Sequence, residues 1–253
     1  MLWHKSWVDT RWRFLLGFAL LICSAAGVVL LWPKVSALIP LASRVNVGGT
    51  IGRQIREAVE LQREYPGYIW SQWFQKNLTN LGTLFAVLLG SGSLLSPRSG
   101  GLFMLSLPVS RNRLFGVRTA VGLSELLALG IIPSVLIPLL SPAVGKSYGF
   151  GDALVHGICM FTAATLFFSL ACLLSTVFSD LWRPLALAVV AAVVLGLGEQ
   201  VLHDVLPFGI FRVMSGEDYF RNGQLPWLGL LATAAISAAM LYGAAINVER
   251  RDY

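Results

Sequence analysis

The sequence is short of charge. Only 13% of its 253 residues are Asp, Glu, Lys or Arg, where a soluble domain carries roughly 25%. So few charges cannot solvate a globular surface, which excludes a water-soluble fold. Strand-like alternation is missing too. The apolar stretches are continuous, not the segments of about ten alternating residues that a membrane β-barrel needs. Cysteine is scarce: Cys23, Cys159 and Cys172 all lie inside apolar stretches. An odd number in such places argues against a disulfide framework and fits small buried hydrophobes. The three histidines, His4, His156 and His203, are far apart in the chain.

Catalytic signatures are missing as well. No G-x-x-x-x-G-K-[ST] phosphate loop occurs, and Gly48-Gly49-Thr50-Ile51-Gly52 lacks its lysine. The chain is therefore not expected to hydrolyse ATP. H-E-x-x-H is not present. Glu199 and His203 stand four apart, but a metal site takes three or four ligands, and only Asp204 lies nearby in sequence.

What the chain has is apolar length. Hydrophobic residues make up 56% of it, and the mean hydropathy is +0.70. Several runs exceed the roughly 18 residues that cross a bilayer. The expected fold is an all-α membrane protein with six transmembrane helices, at about 14–32, 78–95, 114–140, 153–178, 184–202 and 227–246. Residues 1–13 read as a separate interfacial helix. Its Trp3 and Trp7 share a face with Phe14, and Lys5, Arg11 and Arg13 are available to lipid headgroups. Pro33 is expected to stop the first span. In the long loop over residues 33–76, Tyr65, Tyr68, Trp70, Trp73 and Phe74 read as an aromatic belt where the chain returns to the membrane. Pro133 and Pro138 are expected to kink the third span.

The net charge of +6 does not point to nucleic acid, because the basic residues flank apolar runs. Six spans put both termini on one side. That side then holds Lys5, Arg11, Arg13, Arg98, Arg111, Arg113, Arg118, Arg183, Arg250 and Arg251. The short loops opposite hold only Lys146, Arg212 and Arg221. The excess places the termini in the cytoplasm. Glu125 is the outlier. A carboxylate near mid-span costs about 2.5–3.5 kcal/mol on insertion scales. It is expected either to make an interhelical hydrogen bond or to line a substrate path, with Arg118 two turns earlier on the same face.

The cytoplasmic segment between the second and third spans carries the most specific pattern. It runs Gly101-Leu102-Phe103-Met104-Leu105-Ser106-Leu107-Pro108-Val109-Ser110-Arg111-Asn112-Arg113. This resembles the loop of ABC-2 type transporter permeases, where Leu-Pro-(Val/Ile)-Ser-Arg-x-(Arg/Lys) opens the third span. In outline the likeness covers most of the chain, from the tryptophan-rich basic start to the Ser-Asp-Leu-Trp-Arg connector and the short charged tail.

The resemblance implies a coupling helix at about residues 99–107. It would present Leu102, Phe103, Leu105 and Leu107 to a groove on a partner ATPase, with Arg111 and Arg113 beside it. Pro108 would end that helix. The resemblance further implies an exporter in a bacterial plasma membrane. A second permease copy, identical or related, would complete it, and lipid would surround it. ATP and Mg would sit on the ATPase subunit, with no cofactor in this chain. Two other readings of the residues stay open: a membrane anchor or assembly protein with no transport cycle, and an intramembrane hydrolase using Glu199 and His203.

Overall fold

A computed structural model describes residues 2–42, 59–92, 110–178, 180–201 and 209–250. Among these there is no strand. The chain forms α1 (Leu2–Ala42), α2 (Tyr65–Ile69), a π-helical stretch (Trp70–Leu78) and α3 (Thr79–Gly90). Next come α4 (Arg111–Leu140), a 3-10 turn (Ser141–Val144) and α5 (Phe150–Val177). The last elements are α6 (Trp182–Val201), α7 (Ile210–Ser215), α8 (Glu217–Asn222) and α9 (Trp227–Arg250). Among the described residues five helices, α1, α4, α5, α6 and α9, are long and apolar enough to cross a bilayer.

The first helix departs from expectation. Residues 1–13 are not a separate interfacial helix, and Pro33 does not end the span. Leu2–Ala42 is one helix of 41 residues, about 60 Å long at 1.5 Å per residue. Two features hold it together. Thr10, Gly17, Leu21, Ala25, Val28 and Trp32 are all buried, and their spacing of three to seven residues forms one inward stripe. The first turns therefore belong to the bundle. Pro33 cannot donate a helical hydrogen bond and leaves the Val29 carbonyl without its donor, while packing contacts hold the turn before it in the bundle. Tyr68 Oη donates to the Val28 carbonyl at 3.1 Å. Trp32 lies between Tyr65 and Tyr68, with ring centroids 5.3 and 5.1 Å away.

The second predicted span is also different. It was expected at 78–95. The helix there, α3, has 12 residues and ends at Gly90. It continues without a break from α2 through the π-helical turns, where Thr79 Oγ1 donates to the Phe74 carbonyl five residues back at 2.7 Å. Gln72, Gln75, Lys76, Asn77 and Asn80 interrupt the apolar run, which is why this segment is not among the five. The predicted aromatic belt turns inward. Tyr65, Tyr68, Trp70, Trp73 and Phe74 are all buried, none more than 4% exposed. They fill the bundle instead of ringing it.

Helix α5 is the axis. It packs against α9, α4, α3, α7 and α6, while α1 lies on α4 and α3. Phe167, Phe168, Ala163 and Ala164 of α5 are fully or almost fully buried. Cys159 and Cys172 are buried within it, as expected of small hydrophobes, whereas Cys23 of α1 is exposed. Pro133 and Pro138 sit inside α4 without breaking it. The helix gives way to the 3-10 turn at Ser141, and Gly145 ends that turn in the left-handed region at φ 68°.

Candidate functional site

Two polar regions stand out, one at each end of the bundle. The first lies at the end that holds the start of α1 and the finish of α9. Here Thr10 Oγ1 donates to Glu125 Oε1 at 2.5 Å. Glu125 is 3% exposed, and among the described residues its Oε2 has no hydrogen-bond partner. Arg13 Nη1 donates to the Leu88 carbonyl at 2.8 Å, near the end of α3. The guanidinium of Arg118 lies where a side chain at residue 92 would begin, so it packs directly on Gly92. Arg118 and Arg13 both lie close enough to act electrostatically on Glu125.

Glu125 thus makes an interhelical hydrogen bond. Its partner, Thr10, was not singled out from the sequence. The signal was present: Thr10 sits in register with the buried stripe of Leu21, Ala25, Val28 and Trp32. Thr10→Val should lower stability by about 1–3 kcal/mol, the cost of orphaning a buried polar group. Thr10→Ser should restore most of it. Thermal unfolding of the purified variants in one detergent measures both.

Of the other predicted site residues, Trp3 and Trp7 are exposed, at 58% and 38%. Arg11 is exposed too and lies 5.7 Å from the Trp12 ring. Arg13 differs from its expected headgroup role, because its guanidinium turns inward to Leu88. Arg111 opens α4 after an extended Ser110, and Arg113 is exposed. Leu102, Phe103, Leu105 and Leu107 lie outside the described residues. The two ends that flank them meet different helices: Ser175 Oγ of α5 donates to the Gly90 carbonyl at 3.5 Å, and Asn112 Nδ2 of α4 donates to Glu249 Oε2 of α9 at 3.3 Å.

The second region is at the opposite end. The imidazole of His156 is 1% exposed. It stacks on Phe74 at 4.4 Å, and its Nδ1 meets the Ser215 carbonyl at 2.9 Å. Trp70 Nε1 donates to the same carbonyl at 3.2 Å. Tyr219 donates to Asp152 Oδ1 at 2.8 Å, a bond that raises the phenol's pKa above its ordinary value. These contacts fasten α7 and α8 onto α5 and the π-helical stretch. They occupy the histidine in packing, not in a catalytic pair.

Glu199 is accounted for in the same way. Its two oxygens accept the backbone N–H groups of Phe211 and Arg212, both at 2.9 Å. Those are free donors in the first turn of α7. The carboxylate is therefore a helix cap supplied by another element. His203 and Asp204 lie outside the described residues, and among the described ones no group of three His, Cys, Asp or Glu side chains is placed to hold a metal.

Between these elements lies a cavity of about 750 Å³. The π-helical stretch, α3, α6, α7 and α8 line it. Lys76, Arg212, Glu217 and Arg221 stand at one end, and Leu84, Val87, Val189 and Val193 at the other. Sequence reasoning did not find it. The available clue was the polar run of Gln72, Gln75, Lys76, Asn77 and Asn80 within a membrane-directed helix. Such residues usually face a cavity or the bundle interior.

No family model, curated protein or solved structure matches the chain.

Proposed function

We propose that this chain is the membrane-spanning permease subunit of an ABC-type exporter, driven by ATP bound and hydrolysed on a separate ATPase subunit. In this reading the helical segment over residues 65–90 is the sixth span. Both termini then lie in the cytoplasm of a bacterial cell, and a second permease copy completes the path. The motif Leu107-Pro108-Val109-Ser110-Arg111-Asn112-Arg113 motivates the reading.

One structural observation supports it most. The two helices flanking the segment over residues 93–109 are both tied to α1, α3 near its end and α4 near its middle. The α3 end is held by Arg13 on Leu88, and α4 is held by Thr10 on Glu125. A push on the intervening segment would act on three packed helices at once. That is the mechanical requirement for converting motion of a docked ATPase into helix movement.

The test is to purify the tagged chain from its native membranes in a mild detergent. An ATPase with Walker motifs should accompany it in about equal amount, and the reconstituted complex should hydrolyse ATP. A chain that purifies intact without any such ATPase overturns the reading.

A further inference from the structure

The far-end cavity has a polarity gradient that defines a ligand. We infer that it binds an anionic phospholipid drawn from the surrounding bilayer, with the headgroup at Lys76 and an acyl chain along α3 and α6. Charge comes first. The mouth holds three cations, Lys76, Arg212 and Arg221, and two carboxylates, Glu199 and Glu217. Both carboxylates are already engaged. Glu199 takes two backbone N–H groups. Glu217 takes Arg221 at 2.7 Å and Arg212 at 3.8 Å. Among the described residues Lys76 is left with no carboxylate partner, and the mouth is net positive. Gln75, Asn80 and Gln200 add neutral hydrogen-bonding groups beside it.

The length of the apolar wall agrees. From Lys76 to Val87 the helix rises roughly 16 Å, close to half of a hydrocarbon core about 30 Å thick. The cavity also opens sideways. Leu84 on α3 and Val193 and Leu197 on α6 line it and are 42%, 54% and 57% exposed. The occupant can therefore enter from the membrane. A volume of about 750 Å³ is within the usual range of roughly 300–1,000 Å³ for ligand sites.

The test uses the whole chain in phosphatidylcholine nanodiscs and needs no ATPase, so its outcome is independent of the permease reading. The discs carry a trace of either phosphatidylglycerol or phosphatidylcholine with a diazirine near the end of one acyl chain. After irradiation, peptide mass spectrometry locates the adducts. Labelling of the peptides holding Leu84, Val87, Val189 and Val193 should be about tenfold higher for the anionic probe, the factor expected of one charge-assisted contact.

Lys76→Glu should reduce it to the level of the zwitterionic probe, and Lys76→Arg should preserve it. Elution volume and unfolding temperature of both variants must match the parent. Equal labelling by the two probes, or no change in Lys76→Glu, overturns the proposal. Labelling that disappears in a separated dimer fraction also overturns it, because the cavity is then closed by a second copy and not by lipid.

Discussion

In the proposed exporter complex, Phe103→Asp or Leu105→Asp should strip the chain of the ATPase subunit while leaving its level in the membrane unchanged. The expectation comes from the segment's composition and from what the permease resemblance implies. Leu102, Phe103, Leu105 and Leu107 crowd apolar side chains into a stretch that its flanking arginines are expected to keep outside the bilayer. Apolar surface exposed there has a use only if a partner covers it.

Burying a phenylalanine contributes about 1.5–3 kcal/mol, and an aspartate in the same groove adds a desolvation cost. Together these amount to at least a hundredfold loss of affinity, at about 1.4 kcal/mol per factor of ten. Co-purification of the tagged variants, scored as the ATPase-to-permease ratio, should fall below a tenth of the parent's value. Phe103→Leu should keep it. A complex that survives both aspartate substitutions places the docking surface elsewhere.

How much of this was legible in the sequence depends on how local the cause is. The spans over 114–140, 153–178, 184–202 and 227–246 correspond to α4, α5, α6 and α9, within four residues at every end. Their boundaries follow from apolar length and from local breakers, both of which are sequence properties. Pro33 failed as a stop because its effect depends on neighbours. Trp32 packs between Tyr65 and Tyr68, and Tyr68 bonds Val28, so the turn before Pro33 is held by residues more than thirty positions away in sequence. The aromatic residues of 65–74 failed for a related reason. Composition identifies a cluster of amphipathic rings at a membrane boundary, but not whether they face lipid or protein. The π-helical stretch turns them inward, and Phe220, His156 and Trp32 provide the surfaces they meet.

The polar sites show the same division. Glu125 was conspicuous because a carboxylate in an apolar run has a large, local cost. Thr10 was not, because a threonine near a terminus costs little until a partner 115 residues away in sequence faces it. Glu199 and His203 looked like a pair from their spacing. The fold engages Glu199 with the first turn of α7 instead, whose otherwise unpaired backbone donors attract a carboxylate. Cavities are harder still. The one beside Lys76 belongs to five elements, and only its polar run was visible in advance.

The second large effect is expected at Gly90, where α3 meets α5. A methyl group added there would fall on the Phe168 carbonyl and lie 2.9 Å from the Ala171 side chain. A backbone carbonyl in a buried helix cannot swing aside as a flexible side chain would. The two helices must separate. Small residues at such crossings are what let membrane helices approach closely, and association in lipid relies on that packing because no hydrophobic force drives it.

Gly90→Ala should therefore destabilise the chain by about 1–3 kcal/mol, the usual cost of overpacking. Gly90→Leu should prevent a single folded species from forming. Size-exclusion profiles and thermal unfolding in detergent distinguish the two. Gly116, where an added methyl group would meet nothing, is the control, and Gly116→Ala should behave as the parent does. The consequence reaches function as well. Ser175 contacts the Gly90 carbonyl, and Arg13 holds the Leu88 carbonyl two residues earlier. A splayed α3 would loosen the end of the bundle through which a push on residues 93–109 has to pass. In Gly90→Ala, any ATP-driven activity should fall by more than the loss of folded protein explains. A parallel fall in both would reduce Gly90 to a packing residue.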